Sequence, residues 1–577
     1  MGKFLLGLLT GAILIVLIGV IGFFAIASLR SRPATVADGS TLILRLSGSI
    51  PEKPPVEFSI PGFGDHPCIT VENVWNMLRR AAADSRVKAV IFEPESVTAG
   101  WATMQEIHAD LETFRKSGKP LVAWLKSPTL RDYYMATAAS KIYMPPADVL
   151  DLKGIGMQLM YFKNTLDKLG IQVDVEHAGK YKDYGDQYTR ASMSPETREV
   201  MNGLVDGLYG DLVDVIAKGR GKDAATIRDT IDTGPFLAKN AKAAGLIDDL
   251  RYEDEVFGEM KQTLHQTELK KLSEKDYARS SDSAAGLGAQ DQIAFVVGEG
   301  TITRGDSSDD GLQSGAFDRM LERVGSNTSI KAAIIRINSP GGEVVASDDM
   351  WRAMNQLMAK KPVVISMADE AASGGYYMAM TGSPIVAYPG TITGSIGVVF
   401  GKPNFHGLYD KLGITKESVS RGKFALIESD YASLTPEERA KLKEGIDATY
   451  EDFLSKVAKA RGKAVSDIEP VAQGRVWLGA QAKTKGLVDE LGGIDLAVQK
   501  ARQLAGIPNS SHVSLVAYPA KRSLFDLILQ TANDDGMDAM LSRTGLEPLR
   551  AALRDNRLRL WMHGGMMRMM PFSLEFQ

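Results

Sequence analysis

The chain has 577 residues, 44% of them hydrophobic and 24% charged, and its 67 basic and 71 acidic side chains leave a net charge of −4. That length has room for about three to five compact units, and the balanced charge offers no basic field for nucleic acid. Cys68 is the lone cysteine, which excludes an internal disulfide and cysteine-built metal clusters and leaves the redox compartment open.

Residues 1–3 are expected to be a short cytoplasmic N-terminus, and residues 4–29 carry no charge, bounded by Lys3 on one side and Arg30 and Arg32 on the other. As a helix the run would be about 39 Å long, enough to cross a hydrocarbon layer of about 30 Å with some tilt. Ala25-Ile26-Ala27 resembles a leader cleavage site, but the apolar run exceeds a usual secretory h-region, so an uncleaved anchor is expected. Basic residues on both flanks leave the orientation unset by charge.

Beyond the anchor the chain contains one unit twice. Leu166-Asp167-Lys168-Leu169-Gly170-Ile171 returns as Tyr409-Asp410-Lys411-Leu412-Gly413-Ile414, an offset of 243. Val87-Lys88-Ala89 and Tyr133-Tyr134-Met135-Ala136 return at the same offset as Ile330-Lys331-Ala332 and Tyr376-Tyr377-Met378-Ala379. Two later matches drift only to 241, Met193-Ser194-Pro195-Glu196 with Leu434-Thr435-Pro436-Glu437 and Gly245-Leu246-Ile247-Asp248 with Gly486-Leu487-Val488-Asp489. Such matches kept in register mark a tandem duplication.

Each copy reads as α/β. Short apolar runs at 89–92, 121–125, 332–337 and 363–367 predict buried strands. Longer amphipathic stretches near 344–358 and 436–459 predict helices, the second opened by a Thr435 cap, Pro436 and two glutamates. Alternation of the two implies a mostly parallel sheet covered by helices. The expected units are 36–265 and 291–518. A linker at 266–290, rich in Ser, Ala, Gly and charge over 273–290, reads as flexible. Residues 519–577 form an extension holding Met562, Met566, Met567, Met569 and Met570.

Two glycine-bearing turns in the second copy follow predicted strands: Asn338-Ser339-Pro340-Gly341-Gly342 and Ala372-Ser373-Gly374-Gly375. A serine at a strand-to-helix turn can expose its hydroxyl, and backbone N–H groups there can hold an oxyanion. The plainer reading of either alone is a tight turn whose glycines supply positive φ. Together they favour acyl transfer at Ser373. Its base is not histidine on this pattern, since His406 sits in a Pro403-Asn404-Phe405-His406 loop with no obvious carboxylate orienter. The repeat supplies another: Lys182 has Ala425 as its counterpart, while Ser373 has Leu130 as its own. Each copy lacks what the other keeps, as one divided active site would leave behind. Alone, Lys182 reads as an ordinary solvated lysine.

These turns, with Thr393-Gly394-Ser395-Ile396-Gly397-Val398 and Gly179-Lys180-Tyr181-Lys182, resemble the signal peptide peptidase A family in its long, duplicated form, from residue 4 to about 519. The resemblance implies two Clp/crotonase-like domains behind a transmembrane helix. It implies a Ser373 nucleophile, a Lys182 base, Ser395 orienting the lysine, and oxyanion donors at Gly374 and Gly342, with Gly341 close behind. It also implies a homotetrameric bowl on the extracytoplasmic side of the bacterial inner membrane, acting on cleaved signal peptides and similar hydrophobic peptides with no metal or cofactor. After Lys182 the chain reads Asp183-Tyr184-Gly185-Asp186, a departure from many relatives. A Clp-type Ser-His-Asp site is disfavoured because Val398 stands where its histidine would fall. A crotonase-type acyl-CoA enzyme and a non-catalytic membrane scaffold are the remaining alternatives.

Overall fold

The computed structural model describes residues 11, 36–54, 68–289, 291–306, 311–519 and 566–570. Apart from Gly11, the expected anchor at 4–29 lies outside the described residues, among which no helix is long and apolar enough to cross a membrane.

The first repeat is built on four long-range parallel strands, β1 (Ser40–Gly48), β2 (Val87–Val97), β3 (Leu121–Trp124) and β4 (Lys141–Met144). Asp249–Leu250 flanks β4 and Lys271–Ser273 flanks β1, giving six parallel strands in one sheet. After β3 the chain enters a short helix, α1 (Leu130–Ala136). Farther on, β5 (Gln172–Ala178) leaves this sheet altogether.

The second repeat reproduces the order: β6 (Asp291–Glu299), β7 (Ile330–Ser339) and, after the three-residue β8 (Gly341–Glu343), β9 (Val363–Ala372). Ile385–Ala387 and Glu490–Leu491 extend beyond β9, while Val513–Tyr518 flanks β6. Both repeats even share a register break at the start of their first pair, followed by Thr41↔Ala89 in one and Ile293↔Ala332 in the other. The fold is therefore a duplicated α/β unit with parallel sheets. The strands run longer than their apolar cores predict, because residues such as Glu93 continue the ladder while finding a charged partner, here Arg45.

Helices cover the sheets where periodicity placed them, at Val344–Met358 and Pro436–Arg461, the latter opened by a capping box between Thr435 and Glu438. The linker expectation fails. Lys271–Ser273 is a sheet strand, Glu274–Ala278 is a helix, and Tyr277 is fully buried with its hydroxyl on Asp84. Arg79 pairs with Asp282 at 2.7 Å. A serine-rich composition reads as loose, but one buried tyrosine and these polar clamps hold the segment down.

The repeats share an apolar core in which Trp75, Met104 and Ile107 of the first join Phe295, Ile334 and Val364 of the second. Polar pins cross the same boundary. The helix Trp101–Arg115 receives the Asp369 carboxylate on the Thr103 amide (2.9 Å) and hydroxyl (2.7 Å), a favourable charge for a helix N-terminus. Arg336, wholly buried, donates to Glu52 and Glu106 at 2.6 Å each. Burial pushes the Glu52 carboxyl up to about 7 against the pull of Arg336, and it raises Asp110 nearby as well.

A smaller sheet bridges the repeats. It contains β8, then β11 (Val398–Asn404), which follows β10 (Ile392–Gly394) in the chain, and β5 of the first repeat. The β5–β11 ladder is antiparallel, from Gln172↔Asn404 to Ala178↔Val398. It delivers the end of β5 to the end of β10.

Candidate active site

The last residues of β9 run into α2 (Gly374–Met378), with Ser373 at the junction. Ser373 has φ +54° and ψ −113°, a conformation costing roughly 1–3 kcal/mol for a residue with a Cβ. Its N–H donates to the Gly394 carbonyl at 2.8 Å. The hydroxyl does not cap α2 and so is turned to another partner. Gly375 follows because a Cβ there would stand 2.7 Å from the Ser339 carbonyl oxygen.

That partner is Lys182. Its Nζ lies 2.9 Å from Ser373 Oγ, 2.9 Å from Ser395 Oγ and 3.1 Å from the Ser395 carbonyl. All three side chains are wholly buried, so the ordinary expectation of a solvated lysine is reversed. Ser395 also has positive φ, +51°, and its N–H is held by the Arg475 carbonyl at 2.8 Å. Two non-glycine residues in the left-handed region beside one lysine mark a site where strain is maintained by its surroundings.

The lysine loop is positioned from the second repeat. Tyr181 N–H donates to the Gln473 carbonyl at 2.7 Å, and Lys180 N–H to Gln473 Oε1 at 3.0 Å. Gly179 and Gly474 permit the approach: a Cβ on Gly179 would stand 2.5 Å from the Gln473 carbonyl carbon, and one on Gly474 2.6 Å from Lys182 Cβ. The turn at Gln473-Gly474 belongs to the site and was not foreseen. Its only local signal was a Gln-Gly pair before a short strand. Next to Lys182, Asp183 accepts from the Thr197 hydroxyl, and burial pushes its carboxyl up to about 6.

The Pro-Gly-Gly turn lies across from the serine. Gly341 has φ +99° and donates its N–H to Ser339 Oγ at 3.2 Å. Gly342 pairs with Ile302, and a Cβ on it would stand 2.0 Å from the Ile302 carbonyl oxygen. Tyr376, Tyr377 and Met378 are buried core residues; the Tyr376 hydroxyl is held by the Leu487 carbonyl and that of Tyr377 by Asp452. His406 is half exposed on the helix His406–Leu412, its ring against Tyr431. Among the described residues no cluster of His, Cys, Asp and Glu could hold a metal ion.

The sequence profile of peptidase family S49 matches residues 113–267 and again 355–508. The chain belongs to peptidase family S49. The two matched segments repeat the internal duplication. The chain is 37% identical over 491 residues to the chloroplastic serine protease SPPA of Arabidopsis thaliana, covering 83% of this chain and 71% of that one. It is 31% identical over 520 residues to Protease 4 of Salmonella typhi, covering 85% and 82%, and 29% identical to Protease 4 of Haemophilus influenzae, covering 74% and 72%. As an S49 member the protein is a serine peptidase, and the acyl-CoA and scaffold readings fall away.

Proposed function

We propose that this S49 peptidase cleaves peptides with Ser373 as nucleophile and Lys182 as general base. The observation that carries the reading is the 2.9 Å contact between Lys182 Nζ and Ser373 Oγ inside a fully buried site. Proton transfer needs a separation of about 2.6–3.2 Å. Burial disfavours a charged amine, and the neutral amine is the form able to take the serine proton. Ser395 accepts from the lysine and fixes its lone pair toward Ser373. Ser373 Oγ then attacks the peptide carbonyl, and the amides of Gly374 and Gly342 hold the oxyanion. The leaving amine takes the proton back from Lys182, and a water deprotonated by Lys182 releases the acyl group. Gly342 is the better second donor because the Gly341 amide already serves Ser339. No metal or cofactor enters this scheme.

The division follows the repeats, with 36–265 supplying the lysine and 291–518 the serine. The substrate class is cleaved signal peptides and similar hydrophobic peptides. The enzyme is anchored through residues 4–29 in a bacterial inner membrane with its catalytic units outside the cytoplasm. Its assembly is a homotetrameric ring, and the fold supports that reading. Residues 415–421 are the second repeat's counterpart of β5 and lie exposed, with Leu412, Ile414 and Val419 among the exposed apolar side chains. Residues 155–161 are the first repeat's counterpart of β11, and Met160 is exposed. A second copy laying 155–161 along 415–421 would repeat the β5–β11 contact head to tail, a geometry that closes rings.

The test is a serine-reactive peptidyl probe on the detergent-solubilised chain, with the label located by mass spectrometry. Modification of Ser373, lost in Lys182→Ala, is expected. Labelling of a different serine would overturn the assignment.

A further inference from the structure

The methionine-rich extension contributes one described strand, β12 (Met566–Met569), and it lies against the Pro-Gly-Gly turn of the candidate active site. It runs antiparallel to β8 through Gly341↔Met569, Gly342↔Arg568 and Glu343↔Met567. Its other edge pairs with β11 through Val399↔Met567 and Phe400↔Met566. Past the strand, Met570 N–H donates to the Pro340 carbonyl at 2.7 Å. The segment thus threads between the oxyanion turn on one side and the strand leading out of Ser395 on the other. By the alternation of an antiparallel ladder, the bond at Met570 and Pro340 sets the Gly342 N–H opposite the backbone carbonyl of Arg568.

The side chains alternate as a strand requires. Met567 and Met569 are buried, packed with Tyr184 and Val399 and flanked by Val173, Val175 and Tyr188. Met566 points the other way, half exposed over Gly445 and Thr449 of the helix Pro436–Arg461. The pocket wall belongs largely to the lysine-bearing repeat, on the residues just before and just after Lys182. A peptide that offers a carbonyl to Ser373 and Gly342 must lie in this slot, since β8 and β11 are the strands that border it. With the tail seated, Ser373, Lys182 and Ser395 have no exposed surface.

From this we infer that residues 566–570 are an intrasteric inhibitor, bound as a substrate strand is bound, that must leave before another peptide enters. The inference rests on the Ser373–Lys182 reading and adds to it a ligand class: extended peptides with long, unbranched apolar side chains at alternate positions. Strand addition supplies affinity through main-chain bonds, and the alternate pockets supply selectivity. An occupant tethered in the same chain competes at an effective concentration of about millimolar order, which weakens any free peptide.

The experiment reads binding without turnover, in Ser373→Ala. The probe is a fluorescein-labelled peptide of residues 563–572, followed by anisotropy. Three proteins are compared: the full chain, a chain ending at residue 519, and the full chain carrying Met567→Asp and Met569→Asp. The full chain is expected to bind at least tenfold more weakly than the other two. If the shortened chain lacks a cooperative melting transition, the double aspartate variant decides alone. Asp at the Met567 and Met569 positions of the probe should abolish binding to the tail-released protein, whereas Asp at the Met566 position should change it less than threefold. Equal affinity in full and tail-released proteins, or equal loss from both kinds of probe, overturns the inference. Hydrolysis of a peptide by the Ser373→Ala chain would instead count against the dyad, and leaves the two failures distinguishable.

Discussion

At the end of its third strand each repeat turns into a short helix, and the two turns are finished differently. In the first repeat Thr129 caps α1 and Asp132 returns the bond. The Asp132 carboxylate also collects the amides of Ser96 (3.2 Å) and Val97 (3.1 Å). In the second repeat Ser373 starts α2 with no side-chain cap, and the position of Asp132 is taken by Gly375. Ser96 and Val97 correspond to Ser339 and Pro340 of the Pro-Gly-Gly turn. The first repeat thus fills this place with a carboxylate of its own. The second leaves it to glycine and spends backbone strain on presenting a hydroxyl. The same turn is thus finished in two ways, with Leu130, Arg131 and Asp132 in one repeat against Ser373, Gly374 and Gly375 in the other.

The sharpest break of that contrast is at the serine. Ser373→Ala and Lys182→Ala are each expected to lower kcat/KM for peptide cleavage by roughly four orders of magnitude or more, as removal of nucleophile or base commonly does, with folding retained in circular dichroism. Lys182→His, if it turns over at all, should move the alkaline limb of the pH profile toward the imidazole range. Full activity in Ser373→Ala would end the comparison. Next in size is Gly375→Asp, which puts the first repeat's carboxylate into the second. Its Cβ meets the Ser339 carbonyl at 2.7 Å, so activity should fall at least a hundredfold, an order of magnitude consistent with loss of an oxyanion donor. Ser395→Ala removes one hydrogen bond to the lysine. With the lysine neutral, such a bond is worth about 0.5–1.5 kcal/mol, which predicts a drop of about 2- to 10-fold in kcat/KM with a shifted alkaline limb. A purely structural role for Ser395 would lower stability and leave the limb in place.

The converse change, Asp132→Ala, should cost stability and spare chemistry. It orphans buried amides in the first repeat, at about 3 kcal/mol, read as a lower thermal midpoint with kcat/KM of the folded enzyme unchanged. The smallest effect is at the junction. The Glu52 carboxyl is raised by burial to about 7 from an ordinary 4.5. Between those values the folded state binds this proton more tightly than the unfolded state, so stability from Glu52 is greatest below about 4.5 and is lost as pH rises through 7. Glu52→Gln lacks this titration. The midpoint of the wild type relative to the variant should rise by a few degrees from pH 8 to pH 5. A constant difference across that range would show that the carboxyl titrates alike in both states.

Much of this was legible in residues before coordinates. The duplication, the serine turn and the missing lysine counterpart at Ala425 follow from local identity at a fixed offset, which survives divergence. The strand cores followed because parallel strands buried on both faces are continuous apolar runs. What escaped was long-range. The Gln473-Gly474 turn gains its meaning only from the backbone of Gly179 and Lys182 nearly 300 positions away. Met566–Met569 is too short, with an arginine inside it, to register as a strand, and its partners are edges made elsewhere. The segment 273–290 looked loose because Tyr277 is a single buried anchor among polar neighbours.

The bridging ladder between β5 and β11 also sets an order of events during synthesis. Lys182 leaves the ribosome nearly two hundred residues before Ser373, and domains generally fold as units from the N-terminus. The first repeat therefore folds holding Lys182 with no Ser373 yet to meet. Ser373 follows with its strand, but Ser395, the β11 partner of the lysine strand and the Gln473-Gly474 cradle come later still. The nascent chain thus carries every piece of a peptidase while being unable to act as one, and competence arrives only when the second repeat closes on the first.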